Sequence, residues 1–141
     1  MKSILVDAGP LIALFDKRDQ FHATAIEFLK NHPRRLLTTW PVIIETSHML
    51  DFSINVQINF LEWIRRGGIE IAELDQSHIA RLIELSQQFS DVPVDLADAS
   101  LIVASENYGI TEIASIDSDF YIYRDIRNQF LTNIFSDRRF T

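Results

Sequence analysis

A chain of 141 residues has room for one hydrophobic core but not for two, so a single domain over residues 1–141 is expected. Hydrophobic residues make up 47% and charged residues 23%, and the absence of cysteine excludes a disulfide scaffold, a zinc–thiolate centre and a cysteine nucleophile. The formal net charge of −7 argues against a domain that holds nucleic acid mainly by neutralising phosphates, although an acidic chain can still work on it where cations sit among carboxylates.

Residues 3–6 are an apolar run ending at Asp7, Ala8, Gly9 and Pro10, which predicts a buried strand followed by a turn. The stretch superficially resembles a secretory leader, but Asp7 interrupts it and no small-residue cleavage site follows, so a cytoplasmic location is expected. Pro10 suits the first turn of a helix continued by Leu11, Leu14 and Phe15. Residues 21–29 continue helically, with Ala25, Phe28 and Leu29 on one face, until Pro33 stops the ladder. A second short strand is predicted at 36–38, after which Pro41 opens a helix through Ile44, His48 and Leu50. The next helix covers 54–66, with Phe60, Leu61 and Ile64 inward and Gly67 as its stop.

The third predicted strand is 69–74, and 77–89 repeats Ile79, Leu82, Ile83 and Leu85 at helical spacing. After a break at 90–94, Asp95 is placed to cap a helix over 96–108 that Gly109 ends. A fourth strand at 112–116 leads into a sharp turn at Asp117, Ser118, Asp119 and Phe120, and 130–135 reads as an edge strand. Strands alternating with helical segments predict a three-layer α/β/α domain with a mainly parallel sheet, whose ligands bind along the edge formed by the strand carboxyl ends.

Asp7 directly follows the first strand and Asp117 the fourth, while Glu45 falls early in the helix after the second. These three converge on the carboxyl edge of a parallel sheet. Asp98 joins them only if residues 89–98 carry the chain back across the sheet. Their extended reach is about 30 Å, against about 18 Å for the helix before them. Four carboxylates on one rim repel each other unless protonated or neutralised by cations, and hard oxygen donors select magnesium or manganese. One or two such ions can activate water and clamp a scissile phosphate, which makes phosphodiester hydrolysis the natural chemistry.

The segments ILVDAGPLIALFD, PVIIETSHML, VDLADASLIVASENYGI and IASIDSDFYIYR resemble, in order and spacing, the four motif blocks of PIN-domain ribonucleases, and most nearly those of the VapC-like toxins. The resemblance implies an acidic Mg²⁺ or Mn²⁺ site built from Asp7, Glu45, Asp98 and Asp117, RNA as substrate, a homodimer, and a cognate antitoxin protein as inhibitor. In the last block either Asp117 or Asp119 could be the inward acid; Asp117 abuts the strand and is favoured, with Asp119 and Phe120 fixing the turn.

Each acid also has a plainer role. Asp7 could only form the turn, and Asp95 with Asp98 resembles a capping box. The apolar neighbours Val42, Ile43, Ile44 and Met49 suggest a largely buried helix around Glu45, where a carboxylate needs a partner. Glu45 with His48 resembles half of a di-iron motif that would have to occur twice. His22, His32 and His78 read as surface residues, and Ser47, Ser100 and Ser115 lack the arrangement of a serine nucleophile. Arg34, Arg35, Arg65, Arg66, Arg138 and Arg139 read as solvated charges; Arg124 and Arg127 are better candidates for RNA contacts, and Trp40 and Trp63 belong to the core or a dimer surface. Two rivals remain. A phosphoacceptor receiver domain would need a late lysine, yet none follows Lys30. A catalytically idle PIN-like interaction module would not need all four acids.

Overall fold

The computed structural model describes residues 2–31, 34–89, 95–116 and 131–135. Its strands are β1 (Ser3–Val6), β2 (Arg35–Thr38), β3 (Glu70–Ile71), β4 (Glu112–Ala114) and β5 (Thr132–Asn133). They form one five-stranded sheet in the order β3-β2-β1-β4-β5, parallel throughout. Helices α1 (Ala8–Phe15), α2 (His22–Asn31), α3 (Trp40–Met49), α4 (Ile54–Arg65), α5 (Ile79–Gln88) and α6 (Leu96–Tyr108) cover it, completing the expected three-layer α/β/α arrangement.

The central place of β1 follows from its composition. Ile4, Leu5 and Val6 are all buried, with no polar alternation, as befits a strand covered on both faces. Leu5 registers with Leu37 on one side and Ile113 on the other. Successive strands leave β1 first towards β2 and β3, and later towards β4 and β5. The order therefore reverses between β1 and β4, and at such a point helices depart to opposite faces and leave a crevice at the carboxyl ends.

Helix α6 is buried along its length from Ala97 to Ser105, and its small residues let it lie close against its neighbours. Its far end is tied to α5 by an ion pair in which Arg81 Nη2 meets Glu106 Oε2 at 2.7 Å, with only 9% of the Glu106 side chain exposed. The Glu106 carboxylate raises the Arg81 pKa, chiefly through that hydrogen bond. Gly109 closes α6 at φ 67°, and Gly67 follows α4 at φ 88°, both as expected, because other residues are strained there.

Several expectations are corrected. No turn separates β1 from the first helix: α1 starts at Ala8 because Asp7 itself caps it. Leu61, expected inward on α4, is exposed, the inward side of that helix being filled by Phe60 with Ile64 packed against the core. β3 pairs only at Glu70 and Ile71, since an edge strand is bonded on one side, and a 3-10 turn at Gln76–His78 precedes α5. The expected edge strand at 130–135 is present as β5. No helix among the described residues is long and apolar enough to cross a membrane.

Glu106→Gln should lower stability by about 1–3 kcal/mol, because it strips a half-buried guanidinium of its charge partner. Glu84→Gln, at the exposed carboxylate beside the same arginine, should cost under about 0.5 kcal/mol. Urea midpoints of the two variants check the difference. The exposed Glu62 and Glu70 carboxyls lie below their ordinary value of 4.5, held down by Arg65 and Arg66 and by Arg35 respectively. Depressed carboxyls stabilise the fold fully above the ordinary value and lose that contribution as pH falls through the lowered one, so urea midpoints should drop on acidification below 4.5.

Candidate active site

The β1–β4 register sets the site. Val6 pairs with Ala114, which brings the next residues, Asp7 and Ser115, side by side at the carboxyl edge. The Asp7 N–H donates to Ala114 O at 2.9 Å, continuing the ladder one residue beyond β1. The Asp7 side chain is then held from two directions: Oδ1 accepts from the Ala8 N–H at 2.8 Å, and Oδ2 accepts from Ser115 Oγ at 2.9 Å. Only 6% of Asp7 is exposed. A carboxylate so removed from water is tolerable because hydrogen-bond donors replace part of its hydration.

The second acid arrives on α6. Asp95 caps that helix, its Oδ1 accepting from the Asp98 N–H at 2.8 Å. Capping is thus the work of Asp95, while Asp98, 9% exposed, lines the cleft. Thr39, at the N-cap position of α3, lies 2.6 Å from Ser100 through their hydroxyl oxygens, both buried. Ser100 gives its own proton to Ala97 O at 2.7 Å, so Thr39 is the donor to Ser100. The bond ties the start of α3 to α6, and Glu45 to Asp98.

Asp7, Glu45, Asp95 and Asp98 line one cavity of about 330 Å³, together with Gly9, Ile12, Met49 and Ile116. Gly9 makes a close approach there: a Cβ would lie 3.1 Å from Ile116 Cβ, so the Ile116 side chain would have to give by a few tenths of an ångström to admit one. Glu45 reaches the cavity as an exposed residue, contrary to the expectation of a largely buried helix. The core contacts of α3 are made by Val42, Ile43 and Thr46, which leaves Trp40, Ile44 and Met49 on an outer face.

Asp117 and Asp119 lie outside the described residues, as do His32, Arg124, Arg127, Arg138 and Arg139. Among the described residues, no three His, Asp or Glu side chains gather closely enough to hold a metal ion as a group. What the cleft does offer is a purely carboxylate donor set, two of its members deeply buried. Asp95 and Ser115 are site residues that sequence reasoning missed. Ser115 was within reach of the spacing, since it follows β4 as Asp7 follows β1.

The remaining polar residues have structural partners. His22 is half-buried, with Nδ1 2.7 Å from Ala13 O, and is not the surface residue expected. Asp75 and His78 form a capping box. Arg34 pairs with Glu112, Arg35 with Glu70, and Arg65 and Arg66 with Glu62. Trp63 packs beside Phe15, their ring centroids 5.5 Å apart.

A parallel sheet reversing beside paired acids defines a class, and the chain belongs to the PIN domain family, whose model matches residues 4–126. Among individual proteins it is similar to ribonuclease VapC26 of Mycobacterium tuberculosis, 22% identical over 116 residues that span 81% of this chain and 86% of that one. Two solved structures share the fold. The Mycobacterium tuberculosis VapC20 structure, described as a sarcin–ricin loop cleaving toxin, has a TM-score of 0.74 at 19% identity and covers 82% of this chain and 91% of its own. VapBC2 from Rickettsia felis, bound to a fragment of its promoter DNA, has a TM-score of 0.65 at 12% identity over 93% and 98%.

Asp95→Asn keeps an acceptor for the Asp98 N–H and should leave stability unchanged, whereas Asp95→Ala should lose about 1 kcal/mol as the cap disappears. Thermal melting of both variants separates the cap from any part that the Asp95 charge plays in the cleft.

Proposed function

We propose that this PIN-domain chain is a metal-dependent endoribonuclease of the VapC type, a toxin held inactive by a cognate antitoxin. The observation that carries the reading is the burial of Asp7 and Asp98 in one cleft at the strand-order reversal. Asp7, Asp98 and Asp117 are the proposed direct ligands of Mg²⁺ or Mn²⁺, with Glu45 completing the shell or orienting the attacking water. The fit rests on donor chemistry: carboxylate oxygens suit these hard cations, and no thiolate competes. An ionised carboxylate has about four lone-pair sites, so the bonds from Ala8 and Ser115 orient Asp7 without excluding a ligand role. When bound, the cation would supply Lewis-acid activation of the phosphodiester and of a water molecule.

The chain's own groups would do the rest. Asp7 and Asp98, fixed by hydrogen bonds and packing, keep the acceptors in place before substrate arrives, which limits the reorganisation needed during reaction. Glu45, on the exposed side, is the acid best situated to meet solvent water. Residues 1–141 act as one domain in this reading, and the proposed location is cytoplasmic.

A second copy of the chain is the proposed partner for the apolar surface where Trp40, Ile79 and Leu96, all exposed, share a groove with Pro41, Leu74 and Leu82. Ile83, one turn beyond Ile79, extends it. Ile79→Glu combined with Leu96→Glu should convert a dimer to a monomer in light scattering; an unaffected dimer would place the contact elsewhere.

Purified, antitoxin-free chain should cleave RNA only with Mg²⁺ or Mn²⁺ present and lose activity on chelation. Asp7→Asn and Asp98→Asn should each reduce cleavage by at least about a hundredfold while circular dichroism and melting remain those of a folded protein. Full activity in either variant, or cleavage indifferent to chelator, would refute the assignment.

A further inference from the structure

Asn133 is a polar residue in β5, flanked by Leu131, Ile134 and Phe135, and only 4% exposed. Both ends of its side-chain amide are engaged. Oδ1 accepts from the Ser115 N–H at 3.1 Å and from the Phe135 N–H at 3.1 Å, while Nδ2 donates to Ser115 O at 2.8 Å. One amide therefore grips both backbone polar groups of Ser115, the residue just beyond β4. It extends the β4–β5 ladder, which otherwise continues as the Ile134 N–H donating to Ile113 O at 2.8 Å. Ser115, itself wholly buried, gives its hydroxyl proton to Asp7 Oδ2.

We propose that Asn133 is a positioning residue for the Asp7 carboxylate, acting through Ser115. The inference rests on Asp7 being a metal-holding acid, as read above. An amide carries its donor and its acceptor on separate atoms of one planar group, which lets it meet the Ser115 N–H and C=O at once. An apolar residue of the same size would fill the space but withdraw the bonds that the amide makes to the Ser115 N–H and C=O, and with them the hold that aims the Ser115 hydroxyl. Groups one step behind a ligand orient it, and their loss characteristically weakens metal binding about 10–100-fold.

The test is a double-mutant cycle read by calorimetric titration of Mn²⁺ into the full chain, alongside RNA cleavage. Asn133→Leu and Ser115→Ala should each weaken Mn²⁺ binding roughly tenfold. Because both act through one hydroxyl, the double variant should bind no more weakly than Ser115→Ala alone. Leu85→Ala, remote in α5, supplies a comparable loss of thermal stability and should leave Mn²⁺ affinity unchanged. Should Asn133→Leu not fold, Asn133→Ser, which keeps a small donor and acceptor, runs the same cycle. Unchanged Mn²⁺ affinity in a folded Asn133 variant, or losses that multiply in the double variant, would overturn the proposal. Failure of the unsubstituted chain to bind Mn²⁺ or cleave RNA would instead remove the reading of the site, and this inference with it.

Discussion

Asp7 occupies a position where three demands meet. Its backbone N–H is a rung of the β1–β4 ladder, its Oδ1 begins α1, and its Oδ2 takes the Ser115 hydroxyl. A carboxylate this deeply buried survives only with donors around it, and donors from the next residue and the next strand can reach it only if helix and strand start where they do. The absence of a turn before α1 and the placing of β4 beside β1 are both conditions of that one arrangement.

The opposite wall is assembled by different means. Asp98 is set by helix chemistry: Asp95 caps α6, and the Thr39–Ser100 hydroxyl pair fixes α6 against the start of α3. Strand register therefore positions one acid and helix docking the other. Both are properties of the packed domain, and it is Glu45 and Asp95 that carry the cleft's charge out to solvent.

Much of this could be read from residue order alone. The apolar run before Asp7, the Pro41 and Asp95 helix starts, and Gly67 and Gly109 as stops are local signals, and each lies at or within a residue of its expected place. The convergence of Asp7 with Glu45 was legible too, because a parallel sheet constrains where strand ends and the helices after them go, whereas that of Asp98 hung on the return of residues 89–98 across the sheet. The errors were of another kind. Apolar periodicity marks a stripe without saying whether the core or a second surface covers it, which is why Leu61 and the face beside Glu45 lie outside the core, contrary to expectation. The roles of Ser115 and Asn133 lay beyond the sequence because they rest on cross-strand hydrogen bonds, which depend on register between segments far apart in the chain. An asparagine among Phe130, Leu131, Ile134 and Phe135 was the available clue, since a buried amide must find partners.

The sheet tapers at its flanks, where β3 and β5 pair over two residues each. Such stubs give an incoming chain almost no row of backbone groups to add onto, which is how many proteins avoid runaway strand-to-strand association. Among the described residues, then, a partner would find little strand edge to extend by β-augmentation, and the larger surface on offer is that of side chains displayed on helices. Specificity in any such assembly would then be written in the identities of outward residues, a record that can diverge between paralogues while the backbone beneath stays constant.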